Sequence, residues 1–464
     1  MGSFNDIIAA ISTPPGKGGV AVIRMSGEGS LKIAEQVFRP MSNKKIKDYP
    51  PRTHIYGEII YDGQTADDVL LSYFEAGKSY TGEETVEISC HGGILVTRCV
   101  LESLFEAGAR PAGKGEFTKR AYINGRLSLV KAEAVGNLLE AESIEQIRLS
   151  SSASRDRLMS DIQSIRAALT EILSSLYARI DYPDEDLGDF TDSELSQRLE
   201  GAISNLDRLI STYRTGRAIN EGIKCVICGK PNAGKSTLYN LLIGEDAAIV
   251  TDIKGTTRDV LERSCPLGRV MLRIADTAGI RTGEGIDEVE KIGISKSREK
   301  LAAAELIIAV FDASLPLDAD DEEIIKELSR LSAPKIAILN KSDVKPANDT
   351  SLLDDIFDEA VVASCKQKPA EVIEKMTQIV NRLFTDESIS VKDDAIVASA
   401  RQHSALLRAR DFLKLSLDAL LCGVYQDAVS SDIERALGAI GELDGRGVTD
   451  EVVEDIFSKF CVGK

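Results

Sequence analysis

An apolar run, a glycine-punctuated loop and a helix-forming stretch follow one another in KCVIC, GKPNAGKST and LYNLL, residues 224–242. Few folds accept that order. Gly229 to Ser236 fit G-x-x-x-x-G-K-[ST], in which a strand feeds a loop whose backbone N–H groups turn inward around phosphate oxygens. Lys235 places a cation on the terminal phosphates, and the Ser236 hydroxyl offers one magnesium position. A loop of this kind needs an open sheet. KCVIC, VMLRIAD, ELIIAVFD, KIAILN and AVVAS supply short apolar strands, each followed by a helix-like stretch. The alternation predicts a parallel α/β sheet over residues 219–384.

Further motifs stand at predicted strand ends. In DTAG (276–279), Asp276 suits water-mediated magnesium binding and Gly279 can turn its N–H toward the outermost phosphate. In NKSD (340–343), the two oxygens of Asp343 match the paired N–H donors of a guanine edge, while Asn340 and Lys341 brace loop and ring. Ser364, Cys365 and Lys366 follow the next strand and offer the base a backbone N–H. GTTRD (255–259) adds Thr257, a second magnesium hydroxyl. This is the motif order of a Ras-like GTPase, so GTP is the expected ligand. The stretch DTAGIRTGEGIDEVE holds no glutamine to orient the attacking water. Glu284, Asp287, Glu288 and Glu290 are the carboxylates available instead. Cys225 and Cys228 have C-x-x-C spacing, but within a strand they face opposite ways and read as apolar core cysteines.

The flanks differ in period. Residues 1–120 read as mixed α/β, with strands in GGVAVIRMSG, EIIYDG, VLLSYFEAG and ETVEISCHGG and a hairpin signal at Asp62-Gly63. Leu158, Ile162, Ile165, Leu169, Ile172, Leu176 and Ile180 mark the seam of a long helix ending near Tyr182-Pro183, and Leu199, Ile203, Leu206 and Ile210 continue the bundle. Helices return after 385. Leu406, Leu407, Leu413, Leu417, Leu420 and Leu421 are expected on one apolar face. Ser431–Glu434 is expected to open a helix as a capping box, and Thr449 to cap a last helix through Phe460.

Composition narrows the setting. With 464 residues the chain exceeds one core, and 43% hydrophobic content excludes a disordered protein. No apolar run reaches the roughly 18 residues of a membrane span, and the first residues lack the pattern of a secretory leader. A cytoplasmic protein is expected. The net charge of -18 argues against broad phosphate-backbone binding, so work on RNA would need a local basic patch or a partner. DYPDEDLGDF (181–190) reads as a solvated acidic loop.

The whole chain resembles the MnmE (TrmE) family of tRNA-modification GTPases. The likeness is carried by TPPGKGGVAVIRMSG (13–27), SYTGEETVEISCHGG (79–93), GEFTKRAYINGRLSL (115–129), GKPNAGKSTLYNLL (229–242), TDIKGTTRD (251–259), DTAGIR (276–281), DEVEKIGI (287–294) and the tail KFCVGK (459–464). It implies an N-terminal α/β tetrahydrofolate-binding and dimerisation domain (1–120). It also implies a discontinuous helical domain (121–218 and 385–464) and an inserted Ras-like P-loop GTPase domain (219–384). The implied reaction installs an aminomethyl or carboxymethylaminomethyl group on the wobble uridine of tRNA. It involves a homodimer, a flavin- and NADH-dependent partner of the MnmG (GidA) type, and a methylene- or formyl-tetrahydrofolate donor. Arg24, Glu87, Arg126 and Lys464 match the folate contacts, with Arg126 standing where the family pattern has lysine. Asn232, Thr251, Ile253 and Thr256 match ligands of an activating potassium ion; Ser236 and Thr257 serve magnesium; Glu290 matches the water-positioning glutamate. The nucleotide contacts implied are Asn232, Ala233, Gly234, Lys235, Ser236 and Thr237; Thr251, Asp252, Ile253, Lys254, Gly255, Thr256 and Thr257; Asp276, Thr277, Ala278 and Gly279; Asn340, Lys341 and Asp343; and Ser364, Cys365 and Lys366. Lys235 and Glu290 are the catalytic candidates for hydrolysis. Cys461 is either a thiol assisting one-carbon chemistry or a helix-terminal cysteine without a chemical role. His91 is expected to shape a turn, and His54 and His403 to be structural. The alternative reading is a GTPase switch for ribosome assembly without RNA chemistry.

Overall fold

Asp62 and Gly63 both take positive φ, 49° and 73°. That left-handed pair matches the twist of the strands it joins, so it closes a two-residue hairpin. The computed structural model describes residues 6–42, 44–182, 190–244, 262–275, 299–344, 353, 355–424 and 426–464. The chain forms two compact units, Met1–Leu139 with Leu437–Lys464, and Glu140–Ala436.

The first unit is built on a seven-stranded sheet ordered β3-β4-β5-β6-β2-β1-β7. Its strands are β1 (Ile8–Ile11), β2 (Val20–Ser26), β3 (Phe38–Pro40), β4 (His54–Tyr61), β5 (Gln64–Phe74), β6 (Thr85–His91) and β7 (Arg110–Pro111). The β1–β7 pair is parallel, and the other neighbours are antiparallel. Helices α1 (Ser30–Val37) and α2 (Ile94–Glu106) bury Ile33, Ala34, Val37, Val100 and Leu104 against Ile23, Met25, Val86 and Ile88. Successive strand side chains alternate, so Arg24, Glu87, Ser72 and His54 line up across β2, β6, β5 and β4 on the other face. α3 (Glu116–Ile123), α4 (Leu129–Leu139) and α14 (Asp450–Ser458) form a satellite core from Tyr122, Leu129, Ala132, Val453, Phe457 and Phe460.

In the second unit the helices are α5 (Ile144–Leu149), α6 (Ser152–Asp181), α7 (Asp192–Ser211), α8 (Tyr213–Asn220), α9 (Lys235–Ile243), α10 (Ala319–Leu328), α11 (Pro369–Phe384) and α12 (Ala400–Leu421). α13 (Gln426–Asp444) begins here. Leu158, Ile162, Ile165, Leu169, Ile172 and Leu176 are buried along α6, as the spacing predicts, and Leu199, Ile203 and Leu206 along α7. A capping box starts α7: Glu194 N–H donates to Thr191 Oγ1 at 3.3 Å, and Thr191 N–H donates to Glu194 Oε2 at 2.7 Å.

The sheet of this unit is ordered β13-β12-β11-β8-β10-β9, from β8 (Ile223–Cys228), β9 (Glu262–Leu267), β10 (Val270–Ala275), β11 (Leu306–Asp312), β12 (Lys335–Asn340) and β13 (Glu359–Val362). It is not wholly parallel: β9 runs antiparallel to β10, joined by a tight turn at Gly268. Cys225 packs in one of the cores flanking this sheet and Cys228 against the other, on opposite faces as expected. Burial pushes the Cys228 thiol up to about 12 and the Cys225 thiol higher still.

Three helix expectations are corrected. Ser431 lies inside α13, which starts at Gln426, because apolar spacing from Val429 through Ile433, Ala436 and Ile440 carries the helix past the capping-box signal. On α12 the buried face is Gln402, Ala405, Leu406, Ala409, Leu413 and Ser416, while Leu421 is 67% exposed. Leu407, Leu417 and Leu420 are half-buried on its flank, since they fall off that 3.6-residue stripe. Thr449 stands at the N-cap of α14 without a side-chain bond, and the helix stops at Ser458.

Candidate functional site

The phosphate-type loop connects β8 to α9 at the carboxyl end of the parallel strands, where open α/β sheets place ligands. Gly229 (φ 136°) passes so close to the Val310 carbonyl that no Cβ fits. Asn232 takes φ 62°, a conformation asparagine tolerates better than most residues, and Gly234 (φ 109°) is the N-cap of α9. The first N–H groups of α9 therefore face the loop, with the positive end of the helix dipole behind them. Lys235 Nζ donates to the carbonyls of Gly229 at 2.8 Å and Lys230 at 2.6 Å, and burial pulls its pKa down. Ala233 is buried, and Ser236 and Thr237 are exposed in the first turn. Lys230 is itself fixed to Asp318 and Asp321, each at 2.6 Å, at the start of α10.

One side chain joins this loop to the second motif. Asn340, 4% exposed at the end of β12, donates from Nδ2 to Ala233 O at 3.0 Å, and its Oδ1 accepts from Cys365 N–H at 3.0 Å. Gly234 lies flush against that amide, leaving no room for a Cβ. Ser364 Oγ donates to Asp343 Oδ1 at 2.6 Å, and Ser342 N–H to Ala363 O at 3.1 Å. Lys341 (φ 64°) pairs with Asp312 Oδ2 at 2.5 Å. Burial raises the Asp312 carboxyl, but bonds from Lys341 and Ser314 outweigh it and hold the group below the usual carboxylate range. Lys366 continues the turn as an exposed residue. Asn232 through Thr237 thus stand beside Asn340, Lys341, Asp343 and the 364–366 turn. Thr251, Asp252, Ile253, Lys254, Gly255, Thr256, Thr257, Asp276, Thr277, Ala278, Gly279, Glu284, Asp287, Glu288 and Glu290 lie outside the described residues.

A second constellation occupies the first unit's sheet face. Arg24 Nε donates to Glu87 Oε1 at 2.8 Å across β2 and β6, and its guanidinium stands 5.5 Å from the Tyr80 ring centroid and 5.7 Å from that of Phe117. The exposed Arg126 lays its stem near Gly82, two residues beyond Tyr80. The tail reaches the same region: Phe117 N–H donates to Lys464 O at 3.2 Å, Gly115 N–H to Cys461 O at 3.3 Å, and Ser12 Oγ to Gly463 O at 3.0 Å. Cys461 is exposed. Beneath this surface Arg120 is fully buried, with Nη1 to Glu83 at 3.1 Å and Nη2 to Asp6 at 2.8 Å and Glu116 at 3.0 Å. Burial raises the Glu116 carboxyl, but Arg110, the Gly113 N–H and Arg120 more than reverse the shift. Sequence reasoning passed over Tyr80, Phe117 and Arg120. Arg120 had one legible signal, a charge three residues from Phe117 on the buried stripe of a short helix.

His91 does not shape a turn. It ends β6, with Nδ1 2.6 Å from Asp67 Oδ1, and that bond raises its pKa. His54 bonds to Ser72 at 2.9 Å, and His403 stacks on Tyr213 at 4.0 Å between ring centroids.

Two of the implied groups meet side chains of suitable chemistry among the described residues. Pairing with Arg24 leaves Glu87 Oε2 without a partner among the described residues, an open acceptor for a ring edge carrying N–H donors. No cluster of three or more His, Cys, Asp or Glu side chains that could hold a metal exists among the described residues. The exposed Ser236 hydroxyl suits a magnesium shell completed by phosphate and water. Among the described residues no helix is long and apolar enough to cross a membrane.

Comparison with known proteins agrees with the sequence resemblance. The family described as "GTP-binding protein TrmE N-terminus" matches residues 7–126, and the "MnmE helical domain" family matches residues 129–461. The chain is 38% identical to the tRNA modification GTPase MnmE of Clostridioides difficile (strain 630), over 99% of this chain and 100% of that one. It is 38% identical to the protein of that name from Thermoanaerobacter sp. (strain X514), over 99% of both chains. It is 37% identical to that of Thermotoga petrophila, over 99% of this chain and 100% of that one. This chain belongs to the MnmE family of tRNA modification GTPases.

Proposed function

We propose that this chain hydrolyses GTP as the nucleotide-driven component of a system that modifies the wobble uridine of tRNA. The observation that carries the reading is the Asn340 amide, which ties the phosphate loop at Ala233 to the base-side turn at Cys365. Lys235 and the N-terminus of α9 receive the phosphates, and Asp343 takes the N–H pair of guanine. Magnesium held by Ser236 and Thr257, and potassium held by Asn232, Thr251, Ile253 and Thr256, would supply positive charge where negative charge gathers during cleavage. Glu290 orients the attacking water. The parts are the N-terminal folate and dimerisation domain (1–120), helical halves (121–218 and 385–464) and the G domain (219–384). Glu87 would accept from the ring edge of a methylene- or formyl-tetrahydrofolate, and Arg24, Arg126 and Lys464 would hold its carboxylates. Cys461 assists the one-carbon step. The working species is a cytoplasmic homodimer with a flavin- and NADH-dependent MnmG-type partner.

The test measures phosphate release in potassium and in sodium, with and without Glu290→Ala. Potassium should raise the rate at least about tenfold and Glu290→Ala should lower it on the order of a hundredfold. Equal rates in both salts overturn the potassium assignment. Titration with 5-formyl-tetrahydrofolate separates the alternative: a ribosome-assembly switch would not bind it, whereas this reading expects binding lost in Arg24→Ala and Glu87→Ala.

A further inference from the structure

Unpaired positive charge gathers at one end of the first unit's sheet. Arg39 on β3, then Lys44, Lys45, Lys47 and Arg52 on the way to β4, are all exposed, and Asp48 is the one carboxylate among residues 39–52. None of the five cations forms an ion pair among the described residues, whereas Arg98, Arg110 and Lys119 of the same unit are each bonded to a glutamate. The nearby carboxylates are engaged elsewhere. Asp48 accepts the Lys45 N–H at 3.0 Å, Glu58 accepts from Thr65 at 3.1 Å, and Glu75 is held by Lys78 at 2.7 Å. In a chain of net charge -18, such a local excess is what phosphate binding requires.

The backbone holds these charges in place. Met41 N–H donates to Tyr56 O at 3.1 Å, and Arg52, at φ 66°, donates its N–H to Tyr73 O at 2.8 Å. Between them Ile46 is buried in the core of the sheet, and Lys44 Nζ stands 5.8 Å from the Tyr49 ring centroid. The cations therefore border the open sheet face that carries Arg24 and Glu87. Register runs Arg24, Glu87, Ser72, His54 across that face, and Tyr56, 51% exposed, follows His54 on the same side of β4. From β2 to β4 there are three strand spacings, about 14 Å.

We infer that this end of the sheet is the surface on which the anticodon arm of tRNA rests, its phosphates on Arg39, Lys44, Lys45, Lys47 and Arg52 and its wobble base directed along the face toward Glu87. The inference rests on the tRNA and folate reading above and adds the RNA-binding surface to it. Single-stranded loop nucleotides can be splayed out of their stack, so a few of them cover the distance from the cations to the Arg24–Glu87 pair. Tyr56 offers an exposed ring on that path, and bases of any identity stack on such rings. Phosphates need the charge and the bases need the ring; an acidic protein segment would use the lysines alone.

The experiment measures binding of a fluorescein-labelled anticodon stem-loop with uridine at the wobble position to the full-length chain over a series of salt concentrations. Replacing Lys44, Lys45 and Lys47 together by alanine should weaken binding about tenfold or more and flatten the slope of log affinity against log salt by about two. The same three positions changed to arginine should restore both. Tyr56→Ala should weaken binding about fivefold or more with the slope unchanged. Both alanine variants should keep GTP hydrolysis and 5-formyl-tetrahydrofolate affinity within about twofold, as a loss of folding would not. A control lacking three exposed cations of the second unit, Lys326→Ala, Arg330→Ala and Lys414→Ala, should bind the RNA as the unaltered chain does. Unchanged affinity and slope in the triple-lysine variant, an equal loss in the control, or RNA binding untouched by Tyr56→Ala overturns this surface and leaves the folate and GTP readings standing. An unaltered chain that takes up 5-formyl-tetrahydrofolate but not the RNA overturns it as well. If it takes up neither, the wobble-uridine reading falls with it.

Discussion

The two sheets solve the problem of assembling a site in opposite ways. In the second unit the candidate residues sit on loops at the carboxyl ends of parallel strands, and each loop is a short continuous word: 229–237, 340–343, 364–366. In the first unit they come from strand faces, where Arg24 and Glu87, 63 positions apart, meet only because β2 and β6 are in register. A loop site is shaped by backbone, through glycine φ values and helix termini. A face site is shaped by side chains and needs a charged foundation, here Arg120 among Asp6, Glu83 and Glu116.

The sharpest way to break the comparison is Arg120→Met. Removing one partner from a buried charge cluster strands the carboxylates, and the cost should be about 3–5 kcal/mol. It should appear as faster amide exchange in β2 and β6, with GTP affinity unchanged. Altered GTP binding would mean the two sites are not independent. A smaller effect is expected from Asp343→Ala, which deletes the acceptor proposed for the guanine edge. GTP binding should weaken by about 1.5–3 kcal/mol, on the order of ten- to a hundredfold, and preference over ATP should shrink, both read by calorimetry. The smallest effect belongs to His91. Its bond to Asp67 raises its pKa above the ordinary 6.5. Its contribution to stability is therefore complete below that value and lost as pH rises through the folded-state pKa. A proton NMR titration should place that pKa above 6.5, and Asp67→Asn should bring it back.

The same contrast decides how much was legible beforehand. β11 and β12 are buried on both faces and read as near-continuous apolar runs, and β8 and β10 are interrupted only by the exposed Lys224 and Arg273, so the strands and the loop between β8 and α9 follow from the sequence. β9 was missed because ERSCPL mixes charge with Pro266, which argues against a central strand. The structure accommodates that proline at the sheet edge. The long seams of α6 and α7 were plain, whereas α12 buries Gln402 and Ser416 on its inner face, which no apolar count selects. Arg24 and Glu87 emerged through family resemblance, since register is a tertiary fact. Tyr80 and Phe117, the rings near the Arg24 guanidinium, were invisible for the same reason.

The Asn340 amide sets terms for anyone wishing to redesign this pocket. It grips Ala233 with one end and Cys365 with the other, and Gly234 is bare because the amide fills the space a methyl would need. Retuning base preference by transplanting a foreign 340–343 segment therefore means inheriting a joint as well as a reader. A donor segment without a carboxamide at its first position would arrive with the right vocabulary and no hinge pin, and the phosphate half of the pocket would slacken first.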